Sequence, residues 1–494
     1  MSKQFTAACI ALLVQRGRLN LTDDVRKYIP ELPDYGRPIT VDDLIHHTSG
    51  IRDWTSVALF SGFDPRYEDR LDNDDLLRLI CHQRSLNFLP GTDFRYSSSG
   101  YILLTKIVER VSGQTLPRFA TQNIFRPLGM EHTFFEENYA GIVRNRVESY
   151  RAVGDHYERW LKHFNVYGDG GVMTTLNDLV KWDNNFYHDS LGKTGLVQML
   201  LTRGRLSNGK EIHYAFGLEL DTHNGYRVVK HNGGMLGFNV DMVRFPDEKL
   251  TIIVLGNSQD AWVTQLAFDV ADRILPAKPA PVESAAAVIP QTIAFDAGDL
   301  RKYEGTYAIQ EFNNRETIKL KEGHLRIEET GEVLQPDGLG RFVIVGSAGR
   351  VSGPVQEAKF ESGDAGAMII HYSSGTALGS FDADRYDPTP PSSIDELREL
   401  VGEYKSDELE TAYSFWIDHG ELYIRMGKGK PIGLFPAHDD PRVEWNSRRR
   451  VWMGFGMITF RYGSDRQIEG LDIGDGRVKA IHFEKLKAVS SKTD

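Results

Sequence analysis

Lys3, Tyr96, Ser98 and His231 are side chains of types that can hold or move a proton. A lysine amine can take the proton of a serine hydroxyl when the two stand three residues apart on one helix face. Lys3 opens a largely apolar stretch, and the position three before it falls one ahead of Met1. Ser2 is a poor substitute, because adjacent residues point about 100° apart around a helix of 3.6 residues per turn. Tyr96 stands in Phe94-Arg95-Tyr96-Ser97-Ser98-Ser99-Gly100-Tyr101. Beside an ammonium a tyrosine is favoured in its charged form, and it can then relay a proton from nucleophile to leaving group. Alone, the same segment also fits a core tyrosine followed by serines that cap a helix.

Two short segments compete to supply backbone N–H groups for a substrate carbonyl. Lys193-Thr194-Gly195 opens a helical stretch, Leu196 to Leu201, with no apolar strand on either side. His231-Asn232-Gly233-Gly234 ends the strand from Arg227 to Lys230 and is followed by Gly237-Phe238 and a second strand, Asn239 to Phe245. An edge strand there would offer N–H groups to the carbonyl, and its glycines would let substrate approach closely. His231, Asn232, Gly233 and Gly234 are therefore the candidates, and Lys193 is read as a surface lysine. Histidine is largely neutral at pH 7, so His231 would not act as a fixed cation.

The elements that must position these residues can be read from periodicity. Phe5, Cys9, Leu12 and Leu13 fall at i, i+4, i+7 and i+8, the signature of a buried helix face. Leu104, Ile107, Val108 and Val111 repeat that spacing after Ser98, and Gly113 ends the run. A short helix is expected from Asp74 to Ile80. Strands are expected at Arg227–Lys230, Asn239–Phe245 and Thr251–Leu255, with Pro246-Asp247-Glu248-Lys249 as the turn between the last two. Val263 to Leu275 closes the region as a helix.

Composition narrows the function classes. A net charge of −11 and the lack of any basic stripe argue against nucleic-acid binding; the densest cluster, Arg448-Arg449-Arg450, reads as a solvated turn. Two cysteines, Cys9 and Cys81, cannot build a disulfide framework in so long a chain. No Cys/His spacing suits a zinc site, so no metal or other cofactor is expected, and His46-His47 read as a helix end and loop. No apolar run approaches the roughly 18 residues of a membrane span. Lys3 and the stretch after it have the outline of a signal peptide but lack a small-residue cleavage site. The chain as written reads as cytoplasmic, with periplasmic or secreted alternatives if an upstream segment exists.

Four regions follow: 1–275, a Pro/Ala-rich linker at 276–293, and two segments at 294–387 and 388–494. The last two repeat one another. Leu300-Arg301-Lys302-Tyr303-Glu304-Gly305-Thr306-Tyr307 aligns with Leu397-Arg398-Glu399-Leu400-Val401-Gly402-Glu403-Tyr404, and Gly323-His324-Leu325-Arg326-Ile327 with Gly420-Glu421-Leu422-Tyr423-Ile424, both at an offset of 97. Alternating runs with frequent glycine turns make these tandem antiparallel β-barrels. A scaffold or site-shaping role is the default for the second.

Residues 2–275 resemble the β-lactamase and penicillin-binding superfamily of serine hydrolases. The resemblance is carried by Ser2-Lys3-Gln4-Phe5-Thr6-Ala7, the Tyr96 segment, His47-Thr48-Ser49-Gly50-Ile51, Phe125-Arg126-Pro127-Leu128-Gly129-Met130, Gly170-Gly171-Val172 and His231-Asn232-Gly233. It implies an α/β domain with an antiparallel sheet flanked by helices, and a nucleophilic serine at the start of an S-x-x-K motif, here just ahead of Met1. Lys3 and Tyr96 would manage the proton, Ser98 would hydrogen-bond Lys3 or substrate, and the Gly234 N–H would supply half of an oxyanion hole. Members with histidine at position 231 tend to be esterases and D-aminopeptidases, and the D-aminopeptidase branch also carries two C-terminal β-barrels resembling lipocalins. The substrate would be a small molecule or short peptide. Without the serine, the chain as numbered is expected to be essentially inactive and its fold to lack the family's first helix and two strands. The rival expectation is a non-catalytic protein that holds D-amino-acid peptides.

Overall fold

The computed structural model describes all residues except 64–70, 154, 193–194, 260, 262, 277, 279–299, 310–313, 329–331, 337–341, 346–355, 363–367, 374–379, 387–393, 436–442, 446–449, 454–455, 466, 476 and 487–494. The linker expected at 276–293 falls mostly outside these residues, as do Lys193 and Arg448-Arg449.

Helix α1 (Lys3–Gln15) is the axis of the first region. The expected single buried face understates it: every residue from Lys3 to Leu13 is buried, as befits a helix inside the core. The other helices are α2 (Val41–Ile45), α3 (Trp54–Phe60), α4 (Asn73–Cys81), α5 (Ser98–Ser112), α6 (Leu116–Ala120), α7 (Leu176–His188), α8 (Leu196–Leu200) and α9 (Val263–Ile274); α5, α6 and α8 pack directly on α1, whereas α9 lies on the sheet. Helix α5 ends where the sequence placed its stop, on Gly113 at φ 72°, a left-handed turn that glycine adopts without steric cost.

Two short pairs, β1 (Phe134–Phe135) with β4 (Val172–Met173) and β2 (Tyr150–Val153) with β3 (His156–Arg159), flank a four-stranded sheet. That sheet runs β5 (Glu219–His223), β6 (Tyr226–Met235), β7 (Phe238–Phe245) and β8 (Leu250–Gly256), all antiparallel. The His231-Asn232-Gly233-Gly234 segment does not follow a strand; it is the second half of β6. β5 pairs only as far as Lys230, whereas β7 pairs with every residue from Val229 to Met235. Residues 231–235 thus keep β7 on one side and an open edge on the other, although β6 is an inner strand by order.

The C-terminal part is all β. Eight strands from Gly305–Ile309 to Ser380–Tyr386 close a barrel. Nine more, from Gly402–Ser406 to Val478–Lys485, form a sheet whose two outermost strands, Ile432–Phe435 and Val443–Trp445, are not paired with each other among the described residues. The expected second barrel is therefore an open one. Its repeat relation to the first is visible in one bond: Tyr307 Oη donates to Tyr303 O (2.8 Å) and Tyr404 Oη to Leu400 O (2.9 Å), both tyrosines fully buried. Among the described residues no helix is long and apolar enough to cross a membrane.

Candidate functional site

The N-terminal end of α1 is where the candidate residues meet. Lys3 is only 5% exposed, and a buried ammonium needs hydrogen-bond acceptors to offset lost hydration. It finds them in Asp169 O at 2.9 Å and Ser98 Oγ at 3.4 Å. Its Nζ also lies 4.8 Å from the Tyr96 ring centroid and 5.4 Å from that of Tyr101, ring faces that attract a cation. Close support comes from Gly217, at φ +69°, where a Cβ would stand 2.5 Å from Gln4 N; only glycine lets that backbone lie against the start of α1.

Ser2 is directed elsewhere. Its hydroxyl accepts a hydrogen bond from Val172 N–H at 3.2 Å and so belongs to the β4 side of the helix end. The Met1 nitrogen, in contrast, points into the site. It lies 3.0 Å from His231 Nδ1 and 2.6 Å from Asn232 O. A residue joined to that nitrogen would begin against the open edge of β6.

The backbone of β6 shows which N–H groups face that edge. In an antiparallel ladder, residues two apart turn their N–H and C=O the same way. Asn232 turns its carbonyl to the Met1 nitrogen, so Gly234, two residues on, presents its N–H along the same open side. Gly233 and Met235 face β7, with which they pair through Val240 and Phe238.

His231 is 4% exposed, and its Nε2 is 3.0 Å from Tyr214 Oη. Burial holds its pKa well below the usual histidine value. The imidazole is neutral at pH 7, as the sequence led us to expect.

Four further residues at this site were not singled out by the sequence. His47, read as loop, sits at φ 58° with its ring centroid 4.3 Å from that of Tyr96, and its Nδ1 accepts Ser97 N–H at 3.2 Å. Burial keeps it neutral, its pKa well below normal. Asp53, with no exposure, caps the start of α5 by accepting Ser98 N–H at 2.6 Å, the anion-at-helix-start arrangement. Asp169 holds Lys3 by its carbonyl and accepts Trp54 Nε1–H at 2.8 Å on its carboxyl; burial raises its pKa. Tyr214 completes the aromatic wall against His47 and His231. Two of the four lie in or beside segments that carry the family resemblance: His47 in His47-Thr48-Ser49-Gly50-Ile51, and Asp169 just ahead of Gly170-Gly171-Val172.

A profile described as Beta-lactamase matches residues 1–272. Penicillin-binding protein 4* of Bacillus subtilis (strain 168) is 30% identical over 363 residues, 70% of this chain and 79% of that protein. A D-aminopeptidase of Brucella canis is 28% identical over 287 residues, covering 56% of this chain and 53% of its own, so the chain spans about half of that relative's length. Among solved structures, the octameric penicillin-binding protein homologue from Pyrococcus abyssi superposes with a TM-score of 0.50 at 20% identity, over 87% of this chain and 86% of that one, a likeness of fold.

Proposed function

Since this chain belongs to the β-lactamase family of serine-hydrolase-type proteins, we propose that its site cleaves an ester or amide through an acyl-enzyme, in the manner of a D-aminopeptidase or esterase. The convergence of Lys3, Ser98, Tyr96 and the open edge of β6 at one helix end carries this reading. A serine joined to the Met1 nitrogen would stand three residues before Lys3, on the same face of α1. Its hydroxyl proton passes to the lone pair of Lys3 Nζ, which acts in its neutral amine form and is oriented by Ser98 and Asp169 O. The oxyanion formed by attack on the carbonyl is met by the Gly234 N–H, a fixed donor that needs no reorganisation. Tyr96, over whose ring Lys3 Nζ lies, relays that proton from the lysine to the leaving group, whose bond to the acyl carbon breaks as the acyl-enzyme forms. Neutral His231 fixes the first turn of the chain and gives no charge to a substrate carboxylate.

The test uses the chain with a serine joined ahead of Met1, assayed with D-alanine p-nitroanilide and short-chain p-nitrophenyl esters. Turnover of either supports the hydrolase, and the ratio of the two separates aminopeptidase from esterase. Lys3→Met should lower kcat by about 10⁴-fold, as loss of a member of a concerted catalytic set does in other serine hydrolases. Full activity in Lys3→Met would end the proposal.

A further inference from the structure

The second C-terminal sheet, for which the sequence suggested a scaffold, reaches the site. The turn between its last two strands, Ile468–Asp475 and Val478–Lys485, lies against α3 and the start of α5. Its position is fixed by backbone bonds. Asn87 Nδ2 donates to Arg477 O at 2.8 Å, Lys479 N–H donates to Asn87 Oδ1 at 2.9 Å, and Asp53 N–H donates to Arg477 O at 3.4 Å. The Arg477 guanidinium then stands 5.4 Å from the Tyr96 ring centroid, the ring that also faces Lys3.

The polar groups around Arg477 are not equally free. Asp53 accepts Ser98 N–H and Thr55 N–H. Asp475 accepts the N–H groups of Arg477 and Val478, both at 2.8 Å. Both carboxylates are thus occupied in shaping backbone. The guanidinium approaches Asp53 Oδ2 only to 3.7 Å, outside hydrogen-bond range, and among the described residues nothing accepts a hydrogen bond from it. Its side chain is 44% exposed. An arginine fork held by charge on one side and open on the other suits a planar two-oxygen anion.

We propose that Arg477 is the carboxylate-binding residue of this site, so that the second sheet selects substrates carrying a free carboxylate near the scissile bond. The assignment rests on the hydrolase reading of the Lys3–Tyr96 cleft and gives it a substrate class. The cation that neutral His231 does not supply on β6 comes instead from Arg477, over the Tyr96 ring. D-aminopeptidase-like and esterase-like cleavage are then both possible, but on acidic substrates: a short peptide ending in a free carboxylate, or an ester of a carboxylate-bearing alcohol.

Calorimetric titration of the chain with D-alanyl-D-alanine and with its C-terminal amide tests this without requiring turnover. The free acid should bind about 10-fold more tightly than the amide, the size of one charge-assisted contact. Arg477→Gln should bring that ratio to about one while leaving the amide's Kd unchanged, and Arg477→Lys should keep part of the preference. An unfolding midpoint for Arg477→Gln equal to that of the parent shows that the exposed side chain is not structural. Equal binding of acid and amide, a ratio unmoved by Arg477→Gln, or no binding of either ligand overturns the proposal. Acylation of the serine-bearing chain by p-nitrophenyl acetate, which has no carboxylate, reports the hydrolase reading separately. Acylation without acid preference sinks only the Arg477 assignment, and acid preference without acylation sinks only the hydrolase.

Discussion

The two C-terminal sheets begin alike and end differently. Each starts with a short helical turn, a glycine in an unusual backbone conformation (Gly305 and Gly402) and a buried tyrosine bonded four residues back. The first then closes on itself, with bonds such as Arg385 to Lys302 O and the pair His371–Asp382 lying within the barrel. The second stays open and is built into the first region. Val57 and Phe60 of α3 belong to its apolar cluster. Tyr413 Oη donates to Phe60 O at 2.6 Å, and Glu408 pairs with buried Arg52 at 2.5 Å while accepting Arg84 N–H. Its last turn carries Arg477 to Tyr96. Repetition thus conserved the framework that folds a sheet, while the turns at its rim were free to acquire a role, as sites grafted on a common fold do.

That contrast can be broken most directly at α3. Phe60→Ala removes a fully buried ring from between the two regions and should cost about 3–5 kcal/mol, measured by chemical denaturation. If the loss falls below about 1 kcal/mol, α3 does not join the second sheet to the first region. Glu408→Ala leaves Arg52 charged and buried. The expected loss is about 3 kcal/mol, and an unchanged denaturation midpoint would show that the ion pair does not join the regions.

The contrast also has a pH signature. Burial pushes the Asp475 carboxyl up to about 6 from the 3.8 of an unperturbed aspartate. Between those two values the folded chain holds a proton that the unfolded chain has released, so stability falls as pH rises through this window. Asp475→Asn should flatten that part of the stability profile. A profile identical to the parent's would place the carboxyl in water. The smallest effects sharpen the likeness rather than the difference. Tyr307→Phe and Tyr404→Phe each remove one buried hydrogen bond and should each cost about 1 kcal/mol. Clearly unequal losses would mean that the two tyrosines do not share a structural role.

Much of this was legible in the chain. Periodicity placed α5 and the strands β7 and β8 to within two residues, and the offset of 97 pairs two tyrosines, Tyr307 and Tyr404, that make the same buried bond. Lys3, Tyr96, Ser98 and His231 meet because local signals, a helix face, a cap and a glycine-rich strand, each fixed one of them. What stayed hidden was non-local. Arg477 lies hundreds of residues from Tyr96, in a turn no different in composition from its neighbours, and nothing in local pattern reports which turn of a repeat meets another domain. His47 read as a loop residue because its left-handed backbone is a loop feature; its contact with Tyr96 is made only when α2 and α5 pack together. The limits of β6 were misread because glycines weaken a strand interior, and here they extend one with an open edge.

The central claim is that the end of α1 is an acylation site assembled around Lys3. Intact-mass analysis after exposure to a fluorophosphonate, of the chain with a serine joined ahead of Met1 and of its Lys3→Met variant, tests it most directly. The account predicts a single adduct on the added serine, formed at least about 10³-fold faster than in the variant. An adduct on Ser2, or no adduct on the serine-bearing chain, would contradict it.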